Sequence, residues 1–323
     1  MRRRQLITRV ALGTGFAATL HLPLGWRPAQ AADQKYRFGF SQATILETWR
    51  VQFNKDMKKE AEKHPELELI ITDGQNKTEK QVADVENLII QGVDVLLISP
   101  KESAGLTPVT LKAIEAGIPV IILDRDVNTD KYTQFIGGDN TVIGRAAGDF
   151  AVNALGGVGK AKGNIVEIWG GFASAPAHDR STGFHERTDK EPGIKSLLAP
   201  IDTEWKSAKG YEIMATALQA NEDITLVYAH NDPLAYNAYL AAKDAGRAKS
   251  IMFLGIDGIP NEGVTWVAQG DLTATFLYAT PGAEGVRQGL KLMHGEKIEK
   301  KITLPTETIT KENAPAILKA NGL

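Results

Sequence analysis

Residues 224–246 read ITLVYAHNDPLAYNAYLAAKDAG and contain, in succession, a strand, a polar turn and a helix. Residues 224–228 are a short apolar run with the length of a buried strand. Asp232 followed by Pro233 predicts a helix start, because a carboxylate can cap the first turn and proline is tolerated at the first helical position. Asn231 and Asp232 therefore lie where a strand ends and a helix begins. In open α/β sheets, ligands bind at this edge.

The same alternation of short apolar runs and helical segments continues along most of the chain. We predict strands at 36–41, 67–72, 94–99, 119–123, 133–136, 164–169, 194–200, 224–228, 251–256, 273–277 and 301–304. Helices are predicted at 49–63, 79–91, 108–116, 140–155, 181–189, 208–221, 263–269 and 281–294, and from residue 233 onward. Short apolar strands separated by helices are typical of parallel sheets. The pattern runs through two successive half-chains, which predicts an α/β fold with two similar lobes, each a parallel-sheet α/β sandwich.

Residues 1–31 have the features of an export signal peptide. Four arginines (Arg2, Arg3, Arg4 and Arg9) precede a moderately apolar segment at 10–24, and Ala29-Gln30-Ala31 is a small-x-small cleavage site. Residues 3–7, RRQLI, also resemble a twin-arginine signal, so the Sec and twin-arginine routes both stay open. We therefore predict a periplasmic protein.

The composition of the chain excludes several classes of function. Removal of the five arginines in residues 1–31 changes 37 basic against 39 acidic residues to 32 against 39, a net charge of −7. An acidic protein is a poor candidate for nucleic-acid binding. The absence of cysteine excludes disulfides, thiolate metal sites and cysteine nucleophiles, and the six histidines lack the spacing of a zinc site. After the N-terminus, no apolar run is long enough to span a membrane.

Polar and aromatic side chains follow the carboxyl ends of the predicted strands. They are Ser41, Glu47, Trp49 and Arg50 after the first strand, Asp124 and Arg125 after the fourth, and Arg180, Trp205, Asn231 and Asp257 after later ones. Taken one at a time, each of these residues could have a purely structural role, in an ion pair, in a turn, as a surface charge or as a core tryptophan. A sugar hydroxyl both donates and accepts hydrogen bonds, so carboxylates, arginines and an asparagine suit it, while tryptophan covers the apolar face of the ring. Their shared edge predicts a binding site for a polyol.

Nine short motifs recur in one known family. They are FSQ at 40–42, ETWR at 47–50, DGQNK at 73–77, QGVD at 91–94, ILDR at 122–125, HDRSTGF at 178–184, WKSAKG at 205–210, YAHND at 228–232 and GIDG at 255–258. Over residues 35–323 the chain thereby resembles the periplasmic sugar-binding proteins of the ribose- and galactose-binding type, which have the type I solute-binding fold. The resemblance implies two lobes joined by a three-segment hinge, with the sugar in the cleft between them.

The resemblance also implies roles for individual residues. Those that grip sugar hydroxyls would be Asp124, Arg125, Arg180, Asn231 and Asp257, with Trp205 stacking on the ring. Ribose binders have two aromatic residues where this chain has Trp49-Arg50, a pair closer to the galactofuranose-binding branch. Ser99 and Ala279 stand where ribose binders have Asn and Gln. These departures favour a furanose-form hexose or pentose over ribose.

The function implied is that of the solute-binding component of an ABC importer. A monomeric protein would capture a monosaccharide and deliver it to the inner-membrane permease by lobe closure, without catalysis, cofactor or metal. We predict one lobe from 35–138 plus 281–300 and the other from 139–280 plus 301–323. The hinge segments would lie near Gly138, Thr280 and Lys300.

Three alternatives differ in class. A sugar-responsive repressor shares the fold but needs an N-terminal helix-turn-helix and not an export signal. A secreted glycosidase could use Glu47, Asp124 and Asp257 as paired carboxylates. Carboxylates beside arginines are expected to stay ionised, which does not suit a general acid. A chemoreceptor or sensor ligand-binding protein remains open as a third reading.

Overall fold

Strands and helices alternate along residues 35–323, the part of the chain that the computed structural model describes. The strands are β1 (Tyr36–Gln42), β2 (Leu67–Asp73), β3 (Val95–Ser99), β4 (Val120–Leu123), β5 (Gln134–Gly138), β6 (Lys162–Ile168), β7 (Gly193–Ser196), β8 (Ile224–Ala229), β9 (Met252–Asp257), β10 (Ala274–Leu277), β11 (Lys301–Leu304) and β12 (Thr308–Thr310). The helices are α1 (Thr48–Ala61), α2 (Thr78–Ile90), α3 (Ser103–Glu115), α4 (Asn140–Ala154), α5 (Ala175–Thr188), α6 (Ser207–Ala220), α7 (Asp232–Asp244), α8 (Thr265–Gln269), α9 (Gly282–Met293) and α10 (Ala314–Ala320). The predicted signal peptide at 1–31 lies outside the described residues.

Two six-stranded sheets organise these elements, in the orders β11-β5-β4-β3-β1-β2 and β12-β10-β9-β8-β6-β7. All pairs are parallel except β10 with β12. Central strands such as β3 and β4 are buried along their whole length, as expected for apolar strands covered on both faces. Each sheet has the order 2-1-3-4-5 for its first five strands, so its ligand crevice is expected where the order reverses, between β1 and β3 or between β6 and β8. The predicted two-lobe α/β fold class is confirmed.

The position of β11 corrects the predicted lobe bounds. We assigned residues 301–323 to the second lobe, whereas β11 pairs in parallel with β5 of the first sheet, with Lys301 opposite Phe135. The Phe135 N–H donates to the Lys300 carbonyl at 3.0 Å, so this segment completes a strand edge that would otherwise be unpaired. The chain passes to the second sheet only afterwards, through residues 305–307.

Two helices begin earlier than the sequence pattern predicts. We started α3 at Pro108, but it begins at Ser103 and holds the proline inside the helix. Proline lacks an N–H and so removes a backbone hydrogen bond inside a helix. For this reason the sequence pattern predicts a helix start at Pro108. We started α5 at Ser181, but it begins at Ala175 with Pro176 in its first turn. Arg180 is therefore a helical residue, not a loop residue.

The residue that caps α7 also differs from the prediction. Asp232 was expected to cap the helix, but Asn231 does so, its Oδ1 accepting from the Leu234 N–H at 3.0 Å. Asp232 turns inward and accepts hydrogen bonds from the Thr275 hydroxyl at 2.6 Å and the Gly258 N–H at 2.8 Å. This carboxylate therefore ties α7 to the end of β9.

Candidate functional site

Nine of the ten predicted site residues line a single cavity. The lining comprises Glu47, Trp49, Arg50, Asp124, Arg125, Pro176, Arg180, Trp205, Asn231, Asp257 and Tyr278. Pro176 and Tyr278 are the two that sequence reasoning missed. Residues from the ends of strands in both sheets converge here, because parallel strands end on the same edge of a sheet.

Ser41, the tenth predicted residue, does not line the cavity. Its side chain is buried within β1, and its hydroxyl has no hydrogen-bond partner among residues 35–323. Side chains alternate across a strand, and the next residue, Gln42, contacts the cavity residue Arg50. The Gln42 Oε1 accepts from Arg50 at 2.6 Å.

Arg50 is the organising cation of the first wall and is almost fully buried. Its guanidinium donates to four side chains: Glu47 Oε2 at 3.1 Å, Gln42 Oε1 at 2.6 Å, Ser99 Oγ at 3.0 Å and Asp124 Oδ2 at 3.1 Å. Burial alone would lower the pKa of Arg50, but the charges of Asp124 and Glu47 outweigh it and raise the pKa above its ordinary value. With four of its five N–H groups engaged, Arg50 has a fixed orientation.

Arg125 lies beside Arg50 and Asp124 and is buried as well. Its Nη1 donates to the Lys101 carbonyl at 2.9 Å, and its Nε lies 3.8 Å from Asp124 Oδ2. Burial, and then repulsion from Arg50, lower the pKa of Arg125 to about 10. The group is still charged at neutral pH, so two guanidinium groups and the two carboxylates of Glu47 and Asp124 face the cavity on this side.

Tyr278 comes from the connection after β10 and touches several cavity residues. Its hydroxyl donates to Asp124 Oδ1 at 2.8 Å, and its ring stacks on Trp49 with centroids 5.0 Å apart. The Trp49 indole N–H in turn donates to the Tyr278 carbonyl at 2.7 Å. The guanidinium carbon of Arg180 lies 4.6 Å from the Tyr278 ring centroid. A tyrosine within an apolar run is predicted to belong to the hydrophobic core, which explains why the sequence pattern did not mark Tyr278 as a site residue.

Arg180 is the corresponding cation of the second wall. Its Nε donates to Asn140 Oδ1 at 2.8 Å, and its Nη1 donates to the His230 carbonyl. A Cβ added at Gly144 would lie 2.2 Å from the Arg180 carbonyl oxygen, so only glycine allows α4 to approach α5 this closely. This close helix contact fixes the position from which Arg180 reaches the cavity.

Asp257 is buried near Arg180, but the two side chains are not hydrogen-bonded to each other. Its Oδ1 lies 3.9 Å from Arg180 Nη1, beyond hydrogen-bond distance. Burial raises the pKa of Asp257 well above its ordinary value, and the attraction of Arg180 does not offset this effect. The pKa of Asp257 is thus shifted in the direction opposite to that expected for a carboxylate beside an arginine.

Trp205 and Asn231 complete the second wall. The guanidinium carbons of Arg125 and Arg180 each lie 5.6 Å from the Trp205 ring centroid, within cation–π distance. A Cβ added at Gly170 would lie 2.3 Å from the indole ring, so glycine is required there for the ring to fit. Because the Asn231 oxygen caps α7, its NH₂ group is what it can offer to a ligand.

Three of the cavity residues have a positive φ, which is unfavourable for residues other than glycine. The angles are 70° at Asp124, 63° at Trp205 and 135° at Asp257. Such strain persists only where the surrounding structure enforces it, and it concentrates at ligand and catalytic sites. The backbone geometry thus marks the same cavity as the side-chain chemistry does.

Across residues 35–323, no group of histidine, aspartate and glutamate side chains is placed to hold a metal ion. In the same residues, no helix combines the length and the apolar character that crossing a membrane requires.

Comparison with known proteins identifies the family. Residues 38–297 match the periplasmic binding protein domain. The chain belongs to this family. It is 36% identical over 231 residues to the galactofuranose-binding protein of Escherichia coli (strain K12), covering 69% of this chain and 71% of that protein. It is 30% identical over 299 residues to the ribose import binding protein of Bacillus subtilis (strain 168), covering 92% of this chain and 94% of that protein.

A solved structure extends the comparison to the fold of the family. The fructose-binding periplasmic domain of a hybrid two-component system superposes with a TM-score of 0.84 at 35% identity, covering 89% of this chain and 94% of that one. Family membership confirms the resemblance seen in the motifs and the prediction of a sugar-type solute-binding protein. These relatives are named as binding proteins and not as enzymes.

Proposed function

We propose that this protein captures a monosaccharide in the cavity between its lobes and delivers it to an ABC permease in the inner membrane. The observation that carries the proposal is the convergence of buried charged and aromatic side chains from both sheets on one small cavity. Trp49, Arg50, Asp124 and Arg125 come from the first lobe, and Arg180, Trp205, Asn231 and Asp257 from the second. Arginines and Asn231 donate to hydroxyls, carboxylates accept from them, and the two tryptophans cover the apolar face of the ring.

The ligand class that we favour is a furanose-form hexose or pentose. The Trp49-Arg50 pair supports this choice, as does the 36% identity to a galactofuranose-binding protein. Ser99 supports it in another way, since its hydroxyl lies 3.0 Å from Arg50 Nη1 and is directed at the protein's own charge network. It therefore does not offer the amide that ribose binders present at this position.

Lobe closure is proposed as the signal that the permease reads. The two walls already contact each other near the cavity: the Thr48 hydroxyl donates to Glu262 Oε1 at 2.6 Å, and Arg125 faces the Trp205 ring. A ligand held by both walls favours this closed arrangement, because an open one offers only half of the contacts. The hinge would consist of the three connections between the sheets, at 139, 278–281 and 305–307.

The proposal also covers the export route, the oligomeric state and the membrane partner of the protein. We propose export by either the Sec or the twin-arginine route to the periplasm, action as a monomer, and no catalytic step, cofactor or metal. A sensor role is the second candidate, because the fructose-binding structure at 35% identity belongs to a two-component system. The two roles use the same cavity and differ in the membrane protein that recognises the closed form.

The test is a screen of purified, ligand-free protein against galactose, arabinose, ribose, xylose, fructose and glucose by thermal shift, followed by calorimetry. A ligand at about a hundred times its Kd adds roughly 2.7 kcal/mol to stability, which gives a shift of several degrees. Asp257→Ala should abolish the shift, while Asp223→Ala, at an exposed position, should retain it. A lack of response to every sugar in the panel would contradict the proposal.

A further inference from the structure

A second groove lies directly outside the cavity. Its lining shares five residues with that of the cavity: Glu47, Trp49, Trp205, Asn231 and Asp257. We call the outer part of this groove, lined by Tyr236, Asn237, Glu262 and Trp266, the vestibule. A monosaccharide held by the cavity residues would leave the vestibule to solvent. The proposed function thus accounts for the cavity but not for the groove that adjoins it.

An aromatic platform forms one wall of the vestibule. The rings of Tyr236 and Trp266 stack with centroids 4.1 Å apart and an interplanar angle of 7°. Both side chains are partly exposed, although they belong to the two largest residue types. Tyr236 also packs against Tyr239 at 5.9 Å, so the pair is held rigid. Rigid aromatic groups bind apolar ligand faces with little loss of conformational entropy.

Polar groups flank this platform in the same way as in the cavity. The Glu262 carboxylate is partly buried and accepts the Thr48 hydroxyl at 2.6 Å, which brings a first-lobe residue to the vestibule. The Asn237 amide N–H donates to the Pro233 carbonyl at 2.9 Å, which leaves the amide oxygen available as an acceptor. A carboxylate, an amide oxygen and an aromatic platform are together suited to a second sugar ring.

We propose that the vestibule is a second carbohydrate subsite, and that the ligands of this protein include disaccharides and glycosides whose first ring occupies the cavity. The inference rests on the proposed function, since it requires a sugar in the cavity. The glycosidic bond would pass the shared residues Glu47 and Asp257, and the second ring would lie on Trp266. The groove that contains the vestibule is lined from both lobes and is present while the two walls contact each other, so an occupant there is compatible with lobe closure.

The test compares paired ligands. For the monosaccharide that responds best, calorimetry is repeated with its methyl glycoside and with a disaccharide that contains it as one unit, in the wild type and in Trp266→Ala. We expect the disaccharide to bind the wild type at least as tightly as the monosaccharide. Trp266→Ala should weaken the disaccharide by about tenfold and leave the monosaccharide within twofold, because the lost contact lies outside the cavity.

A second variant covers the case in which Trp266→Ala does not fold. Asn237→Ala replaces a helical residue with the strongest helix former and should weaken only the disaccharide, by about three- to tenfold. Disaccharide binding more than a hundredfold weaker than monosaccharide binding in the wild type would overturn the subsite. Equal effects of the variants on both ligands would overturn it as well. Failure of the proposed function looks different, because then no sugar of either size binds.

Discussion

Replacement of Tyr278 by phenylalanine removes a single oxygen atom from the cavity wall. That oxygen donates to Asp124 Oδ1 at 2.8 Å, while Asp124 Oδ2 receives hydrogen bonds from Arg50 at 3.1 Å and Ser99 at 3.2 Å. The ring of the variant can still stack on Trp49. The change therefore leaves the shape of the cavity intact and frees one of the two carboxylate oxygens of Asp124.

The expected magnitude follows from the buried, charged nature of this hydrogen bond. A hydrogen bond to a charged group contributes about 1.5–3 kcal/mol, and Asp124 is almost fully buried. Because Arg50 and Ser99 still hold the other oxygen, we expect a loss at the lower end of this range. If Asp124 must be oriented to grip the sugar, Kd should rise by about tenfold to thirtyfold.

The assay is calorimetry of the best sugar ligand with Tyr278→Phe, Asp124→Asn and the double variant. A coupling free energy of about 1–2 kcal/mol between the two changes would show that the hydroxyl acts through the carboxylate. Tyr211→Phe is the matched control, because the Tyr211 hydroxyl donates to Asp244 Oδ2 at 2.9 Å on the protein surface. A Kd for Tyr278→Phe within twofold of the wild type, or no more changed than in Tyr211→Phe, would refute the reasoning.

Three further predictions concern other parts of the molecule. Asp257→Ala should weaken sugar binding by about 2–4 kcal/mol, because the sugar hydroxyls lose a buried hydrogen-bond partner; an unchanged Kd in calorimetry would remove Asp257 from the site. Gly170→Ala should weaken binding by at least about tenfold, since its methyl group would displace the Trp205 ring, 2.3 Å away; normal affinity with unaltered tryptophan fluorescence would contradict this. His185 is hydrogen-bonded to Glu167 at 3.0 Å, and this contact raises the pKa of His185 to about 9. The protonated His185 therefore stabilises the folded protein below about pH 6.5, and this contribution is lost as the pH rises through about 9. Because His185 is partly exposed, we expect a modest effect: the difference in unfolding free energy between the wild type and His185→Gln should fall by about 1–2 kcal/mol across this pH window in urea titrations. A difference that does not change with pH would argue against the His185–Glu167 ion pair.

The sequence was sufficient for the strands and for most of the cavity because both depend on local pattern. Buried parallel strands are short apolar runs, and the residues after them must lie at one edge of the sheet. Asp124, Arg180 and Asp257 could therefore be placed at the site without any knowledge of distant contacts. The helix starts failed where local signals conflict, as at Pro108, which reads as a beginning although the helix tolerates it.

The features that the sequence could not supply depend on contacts between distant residues. Tyr278 belongs to the site only because Asp124, 154 residues earlier, accepts its hydroxyl. The raised pKa of Asp257 depends on how deeply the carboxylate is buried and on its distance from Arg180, which no motif encodes. The partner of β11 likewise could not be read from its own four residues, whose pattern fits the edge of either sheet.

The return of β11 to the first sheet has a consequence for the order in which the protein can be completed during synthesis. The first sheet receives its last strand at Lys301–Leu304, and the second receives its last strand at Thr308–Thr310. Neither lobe has its full set of strands until residues 301–310 have left the ribosome, so the usual completion of an N-terminal domain before its neighbour is not open to this topology. A nascent chain that ends before Lys301 leaves both sheets one strand short, and the two lobes mature together.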